Sequence, residues 1–215
     1  MRGPLPDPPA RYLRHRPWRE AEYAALDFEL TGLEARRPEV VSYGLVPVRK
    51  GRVVIGESAY REVRPPVTPD PGSIRVHGLR PADLEGAPRL DDVRDPLRRA
   101  LDGRFLLAWA AGIEVAVLGR VFGGRPWRWF RRTLDVRQLA AVLDRLDGRR
   151  VRPDELTLVA TAQRCGVPLE NPHHALEDAL ATASLFLILA SKLTERGVGT
   201  MSALLRATRP TVARR

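Results

Sequence analysis

Read for the spacing of its apolar and polar positions, the chain begins with a Pro- and Arg-rich stretch, residues 1–19, that holds no period. That stretch is expected to be a flexible arm. Tyr23 to Asp27 turns apolar and predicts a first strand. Val40–Arg49 and Arg52–Val63 read as two more, with Lys50-Gly51 as the hairpin turn between them. The period then changes. Leu90–Leu101 is amphipathic, Phe105–Ala110 is a short apolar strand, and Ile113–Phe122 has helical spacing. Thr133–Val136 is expected as a fifth strand running straight into a helix that ends near Leu146. Asp154 is an N-cap candidate for a helix that stops at Cys165, before Gly166. His174–Leu193 predicts a long, strongly apolar helix. A meander of three strands followed by β-α-β-α-α predicts an α/β architecture, a mixed sheet flanked by helices. The domain is expected over residues 20–195. Residues 196–215 hold one amphipathic turn (Met201–Leu205) and then Pro, Thr and Arg, and are expected to be a loosely held basic tail.

Composition narrows this picture. The 215 residues, 44% hydrophobic and 29% charged, suffice for one well-buried domain. No apolar run approaches 18 residues, so no transmembrane helix and no membrane partner are expected. The N-terminus lacks the apolar core of a signal peptide, and the single cysteine, Cys165, excludes an internal disulfide and a cysteine zinc cluster. A cytoplasmic setting is expected. The net charge is +10, carried almost wholly by arginine, since Lys50 and Lys192 are the only lysines. Such a surface attracts phosphate-rich partners. An arginine bias beside many Ala, Pro and Gly also follows from GC-rich coding.

Two carboxylates stand out inside the first strand. Asp27 and Glu29 are two residues apart, so on a strand both leave the same face. Like charges at the end of a core strand repel and are costly to desolvate, and a divalent cation removes that penalty. Thr31-Gly32 follows, where the backbone can turn and let a ligand approach. The second element is Pro172-His173-His174-Ala175-Leu176-Glu177-Asp178-Ala179. Asp178 sits among apolar neighbours, on a face turned toward the sheet. Helical geometry selects His174, at i,i+4 from Asp178, whereas His173 falls before the first turn. Spacing leaves the choice between the two histidines open.

Asp27-x-Glu29-x-Thr31-Gly32-Leu33 with His173-x-Ala175-x-x-Asp178-Ala179 resembles the DEDDh class of 3′–5′ exonucleases. That class includes the proofreading epsilon subunit of bacterial DNA polymerase III, oligoribonuclease and RNase T. Ile74-Arg75-Val76-His77-Gly78-Leu79 resembles the family's I-x-x-H-G-I segment beside the terminal nucleotide, and Asp135 with Leu139-Ala140 its D-T-x-x-L-A step. The resemblance covers about residues 20–193 and implies an RNase H-like fold with a mixed five-stranded sheet. It also implies that Asp27, Glu29 and Asp178 hold two Mg²⁺ or Mn²⁺ ions, with Glu114 completing the site directly or through water. Hard oxygen ligands suit those ions, which activate water and stabilise the leaving oxygen. By motif alignment His173 is the general base, a task suited to an imidazole. Asp27, Glu29 and His173 are then the catalytic residues, and Leu30, Thr31, Gly32, Leu33, His77 and Leu79 hold the nucleotide. The implied substrate is a single-stranded or frayed nucleic acid 3′ end, DNA ahead of RNA, releasing nucleoside 5′-monophosphates. A polymerase or repair complex is the implied partner.

The middle motif departs from the family pattern A-H-N-A-x-F-D. Here it reads Ala108-Trp109-Ala110-Ala111-Gly112-Ile113-Glu114, with Glu for Asp and Trp-Ala for His-Asn. One extra methylene shifts a ligand by about an ångström, a displacement that can cost roughly 10²-fold in rate. The other reading that follows is a weakened or inactive DEDDh-like module that binds nucleic acid or a polymerase. Finally, Gly124–Arg132 interleaves four arginines with three aromatics. Such a run stacks bases and holds phosphates, or else packs its aromatics onto the domain, with Trp127 and Trp129 at strand spacing.

Overall fold

A computed structural model describes residues 15–32, 37–123 and 126–208. The chain enters β1 (Tyr23–Leu30), pairs it antiparallel with β2 (Val40–Arg49), and turns at Lys50-Gly51 into β3 (Arg52–Val53). Both turn residues have positive φ, 50° and 67°, as the right-twisting two-residue hairpin requires. The strand expected over Arg52–Val63 is interrupted. A 3-10 turn at Ile55–Glu57 separates β3 from β4 (Ala59–Glu62), and both pieces pair along the same edge of β2. After α1 (Pro71–His77), α2 (Pro81–Leu84) and α3 (Leu90–Leu101), β5 (Phe105–Ala108) lies parallel to β1. Then come α4 (Gly112–Phe122), α5 (Pro126–Phe130) and β6 (Thr133–Asp135), parallel to β5. The chain closes with α6 (Val136–Leu146), α7 (Leu158–Cys165), α8 (Ala175–Glu195) and α9 (Met201–Ala207). The mixed sheet thus runs β3-β2-β1-β5-β6, with β4 beside β3 on β2, flanked by helices as expected.

β1 is buried on both faces from Tyr23 to Leu26, which is why it reads as a continuous apolar run. Its odd positions, Tyr23 and Ala25, pack with Val46 and Val48 against Phe186 and Leu189 of α8. Its even positions, Ala24, Leu26 and Phe28, pack against Leu97 of α3 and Leu118 of α4. Asp27 and Glu29 continue the odd series, so they emerge on the face that α8 covers. No helix among the described residues is long and apolar enough to cross a membrane.

Three boundaries differ from expectation. α7 is capped by Thr157, whose hydroxyl accepts from Ala160 N at 3.1 Å, while Asp154 lies in a separate 3-10 turn. Trp18, placed by sequence in the flexible arm, is 1% exposed. Its ring meets Phe186 edge-on at 5.4 Å and its indole N–H donates to Thr194 Oγ1 at 3.0 Å. In the expected tail, α9 buries Met201 and Leu204, and Thr200 bridges to Pro17. The two ends of the described chain therefore clasp each other over α8. Replacing Trp18 by Ala should cost about 3–5 kcal/mol, the usual price of deleting a buried large aromatic. A guanidinium midpoint unchanged in Trp18→Ala would return this segment to the status of an arm.

The arginine–aromatic run is not a strand. Trp129 of α5 is buried, donates to Gly123 O at 3.1 Å, and lies 6.1 Å from the Phe122 ring. Arg132 is buried too, donating to Leu101 O at 2.8 Å. These two residues serve the core. Gly124 and Arg125 lie outside the described residues.

Candidate active site

Three elements converge at the carboxyl ends of β1 and β5. β1 supplies Asp27 and Glu29, the first turn of α8 supplies Asp178, and the first turn of α4 supplies Glu114. Together with His173 they line a cleft of about 620 Å³. Ligand atoms of Glu29, His173 and Asp178 lie within 4.8 Å of one another. Glu114 and Asp178 are 4% and 7% exposed, and neither Glu114 Oε2 nor Asp178 Oδ1 has a hydrogen-bond partner. An unpaired buried oxygen costs roughly 1–3 kcal/mol, so two in one cleft signal a missing partner.

The electrostatics agree. Burial, and then the Asp178 charge, push the Asp27 carboxyl up to about 8. Burial, then Asp27 and Asp178, push Glu29 up to about 9. Burial, with Asp27 next in size, lifts Glu114 well above the usual carboxylate range. Asp178 is raised by burial, although the His173 backbone N–H opposes the shift. Four hard oxygen donors that resist ionising together are what a divalent cation would relieve. The residues present fit such an ion.

Gly44 explains how α8 comes so close. It pairs with Asp27 across β1 and β2, and a Cβ there would lie 2.2 Å from the Ala175 carbonyl group. Its missing side chain lets the start of α8 rest on the sheet and delivers Asp178 to the β1 carboxylates. The same seating separates the histidines. His174 stacks on Tyr60, centroids 4.5 Å apart, and is absent from the cleft lining. His173 is exposed at the cleft with φ +68°, and its backbone N–H donates to Asp178 Oδ2 at 3.1 Å. The histidine at ideal helical spacing is packed away, and the one before the helix faces the site.

On the opposite wall, Leu30 and Gly32 line the cleft. Gly32 has φ +133°, and a Cβ there would lie 1.5 Å from Asp70 Oδ2. The buried Thr31 hydroxyl accepts from Glu39 N at 3.1 Å, while its carbonyl accepts from Asp70 N at 2.9 Å, so it staples the end of β1 to α1. His77 lines the cleft, and Leu79 N donates to its Nδ1 at 3.0 Å. The proton therefore sits on Nε2, a buried donor near the Leu30 carbonyl, and burial lowers the ring's pKa while that carbonyl opposes the shift. Leu79 acts through that backbone bond and is not in the cleft wall. Leu33 lies outside the described residues. Asp70, Ser73 and Trp109 also line the cleft, and sequence reading missed them as site residues. The Asp70-Pro71 pair, an N-cap followed by Pro at the first helical position, was the available signal for α1.

Residues 24–186 match the family model for exonucleases of the RNase T type. The chain belongs to the exonuclease family. It is 30% identical over 201 residues to the DNA polymerase III subunit epsilon-like protein of Rhodobacter capsulatus, covering 92% of this chain and 28% of that one. It is 25% identical over 186 residues to the PolC-type DNA polymerase III of Caldanaerobacter subterraneus subsp. tengcongensis, covering 85% and 12%. The chain thus spans under a third of the length of these curated relatives. In fold it is similar to E. coli Exonuclease I in complex with a dT13 oligonucleotide, with TM-score 0.68, 15% identity, and 82% and 42% of the two chains covered. It is also similar to the nuclease domain of 3′hExo, a DEDDh family member, bound to rAMP, with TM-score 0.64, 15% identity, and 82% and 94% covered. The RNase H-like exonuclease fold is the fold of this chain.

Within that family pattern the departures have structural settings. Glu114 is buried in the cleft wall and is no solvated helix residue. Both oxygens of Asp135 are engaged, accepting from Gln138 N and from Ala111 N at 3.1 Å each, which pins the start of α4 and so places Glu114. Ala110 has φ +55°, a left-handed conformation that Asn tolerates better than Ala. Trp109 puts an indole where the family pattern has His.

Proposed function

We propose that this domain is a metal-dependent 3′–5′ exonuclease that releases nucleoside 5′-monophosphates, from DNA in preference to RNA. The observation that carries it is the pair of unpartnered buried oxygens, Glu114 Oε2 and Asp178 Oδ1, facing a cleft shared with Asp27 and Glu29. Asp27, Glu29, Asp178 and Glu114 would hold two Mg²⁺ or Mn²⁺ ions, which supply Lewis-acid charge stabilisation for the phosphodiester. His173, oriented by its backbone bond to Asp178, takes the proton of the attacking water on a ring nitrogen. Water oxygen bonds to phosphorus, the P–O3′ bond breaks, and the leaving 3′-oxygen takes a proton from solvent, so that the shortened strand ends in a new 3′-hydroxyl. His77 Nε2–H, with the backbone at Leu30–Gly32, positions the terminal nucleotide, and Leu79 N–H holds the His77 ring for that role. The polymerase III names of the relatives support DNA as substrate and a polymerase or repair complex as partner.

A 5′-labelled single strand incubated with Mn²⁺ should give a descending ladder and free nucleoside 5′-monophosphates, faster for DNA than for RNA of the same sequence. Loss of the 5′ label first, or 3′-monophosphate products, would overturn the assignment. His173→Ala should lower turnover by roughly 10²–10⁴, the usual contribution of a general base. His174→Ala should keep turnover and lower the thermal midpoint, because its ring is packing. Equal effects of the two variants on turnover would remove His173 from its role. Trp109 and Ala110 favour the second reading, a weakened binding module, and strand binding without a ladder would select it.

A further inference from the structure

A second groove, of about 950 Å³, is larger than the carboxylate cleft and chemically different. Arg37, Arg64, Arg89, Arg94 and Arg120 surround it. Val40 and Phe122 are buried beneath it, and the apolar surface it presents comes from Pro65, Pro66, Leu90 and Val121. Among the described residues two acids join the lining, Glu39 and Asp91, and Glu39 pairs with Arg37 at 3.2 Å. Three of the arginines are held by neutral groups. Arg64 donates to Glu85 O at 3.1 Å, Arg120 donates to Pro38 O, and the Arg94 guanidinium lies 5.8 Å from the Phe122 ring centre. None of those three forms an ion pair among the described residues. Their positions are set while their charge stays available, which is what a polyanion site needs.

Two elements link the groove to the cleft. Ile113 lines the cleft and Arg120 lines the groove, seven residues apart on one face of α4. At 1.5 Å per residue that is about 10 Å, or roughly three stacked nucleotides at 3.4 Å each. Thr31, beside cleft-lining Gly32, exchanges hydrogen bonds with groove-lining Glu39. Arginines beside the half-buried and exposed apolar groups of Pro65, Pro66 and Leu90 suit a single strand, whose phosphates meet guanidinium while sugars and bases meet the apolar groups.

We propose that this groove binds the single-stranded segment upstream of the 3′ end, so that strands long enough to reach it are held more tightly than short ones. Where the 3′ end lies rests on the proposed exonuclease reading; the groove's affinity for a strand does not. The test is fluorescence anisotropy of a labelled single-stranded oligonucleotide of about twelve nucleotides, in EDTA, across a salt series. Arg64→Ser with Arg89→Ser should weaken binding about tenfold and reduce the slope of log K against log salt by about 1.4, for two lost phosphate contacts. Arg89→Glu alone should act in the same direction, and the Arg64→Lys, Arg89→Lys pair should keep most of the affinity. Mn²⁺-dependent hydrolysis of a dinucleotide should be unchanged in the double Ser variant. Unchanged long-strand affinity and slope in that variant would overturn the proposal. So would retained strand binding with loss of polyglutamate binding, which would assign the groove to an acidic protein partner. Lost strand affinity in a protein that hydrolyses nothing keeps the groove and removes the exonuclease reading.

Discussion

Asp27→Asn is expected to abolish metal-dependent hydrolysis and, in the same molecule, to stabilise the metal-free protein at pH 8. The two effects share one cause. Asp27 carries charge in a place where burial and Asp178 both disfavour it, raising its carboxyl from 3.8 to about 8. Between those values the folded state keeps a proton that the unfolded chain has released. The folded state then binds more protons, so stability falls as pH rises through that window. Glu29, raised to about 9, and Glu114 add to the same slope. Without metal, the wild-type protein should therefore melt higher at pH 5 than at pH 8. Asn keeps the shape and removes the charge, which should recover roughly 1–3 kcal/mol at pH 8 and flatten the pH profile. For a chain of this size each kcal/mol moves the melting temperature by roughly 2–4 °C. Saturating Mn²⁺ should reverse the order, adding about 2.7 kcal/mol to the wild type at a hundredfold excess over Kd and little to the variant. Hydrolysis should fall by roughly 10³-fold or more, the scale of losing a preorganised electrostatic contact. A metal-free Asp27→Asn protein less stable than wild type at pH 8 would contradict this reading of the cleft.

Gly44→Ala should do heavy damage for a one-methyl change. The added carbon would lie 2.2 Å from backbone atoms of Ala175 and 2.3 Å from Leu176 N, and backbone has no rotamer with which to yield. The start of α8 must lift off β2. Overpacking usually costs about 1–3 kcal/mol, and this contact belongs at the upper end. The functional loss should be larger than the stability loss. Asp178 rides on that first turn, and a displacement of about an ångström can cost roughly 10²-fold in rate. Gly56→Ala is the matched control, since nothing lies within 4 Å of its Cβ direction. Comparing kcat and denaturation midpoints of the two variants decides the matter, because equal activity would mean that Gly44 does not seat the helix.

Where one physical rule governed a segment, the chain was legible. β2 and α3 keep the bounds that their apolar runs predict, and α8 differs by a residue or two at each end. The Asp27–Glu29 pair declared a shared face because a strand's period is two. Longer-range causes left no local mark. Trp18 sits among Pro and Arg yet fills a gap against Phe186 that only the folded chain contains. Gly44 interrupts an apolar strand, and its reason is a helix more than a hundred residues away. The histidines could not be separated by spacing, since a positive φ at His173 and the stacking of His174 on Tyr60 decide which one meets the cleft. The interleaved Arg and Trp of the 124–132 run suggested base stacking, and tertiary packing took Trp129 and Arg132 for the core instead. The larger basic surface is drawn from four separate segments, which no window along the chain would reveal.

The central claim is that the buried carboxylates are a divalent-cation site built for hydrolysis at a strand's 3′ end. Calorimetric titration of Mn²⁺ into wild type and Asp178→Ala tests it most directly. Two saturable sites in the wild-type protein, lost or reduced to weak residual binding in the variant, are the expected result. A flat wild-type titration, or an isotherm that Asp178→Ala leaves unchanged, would contradict it.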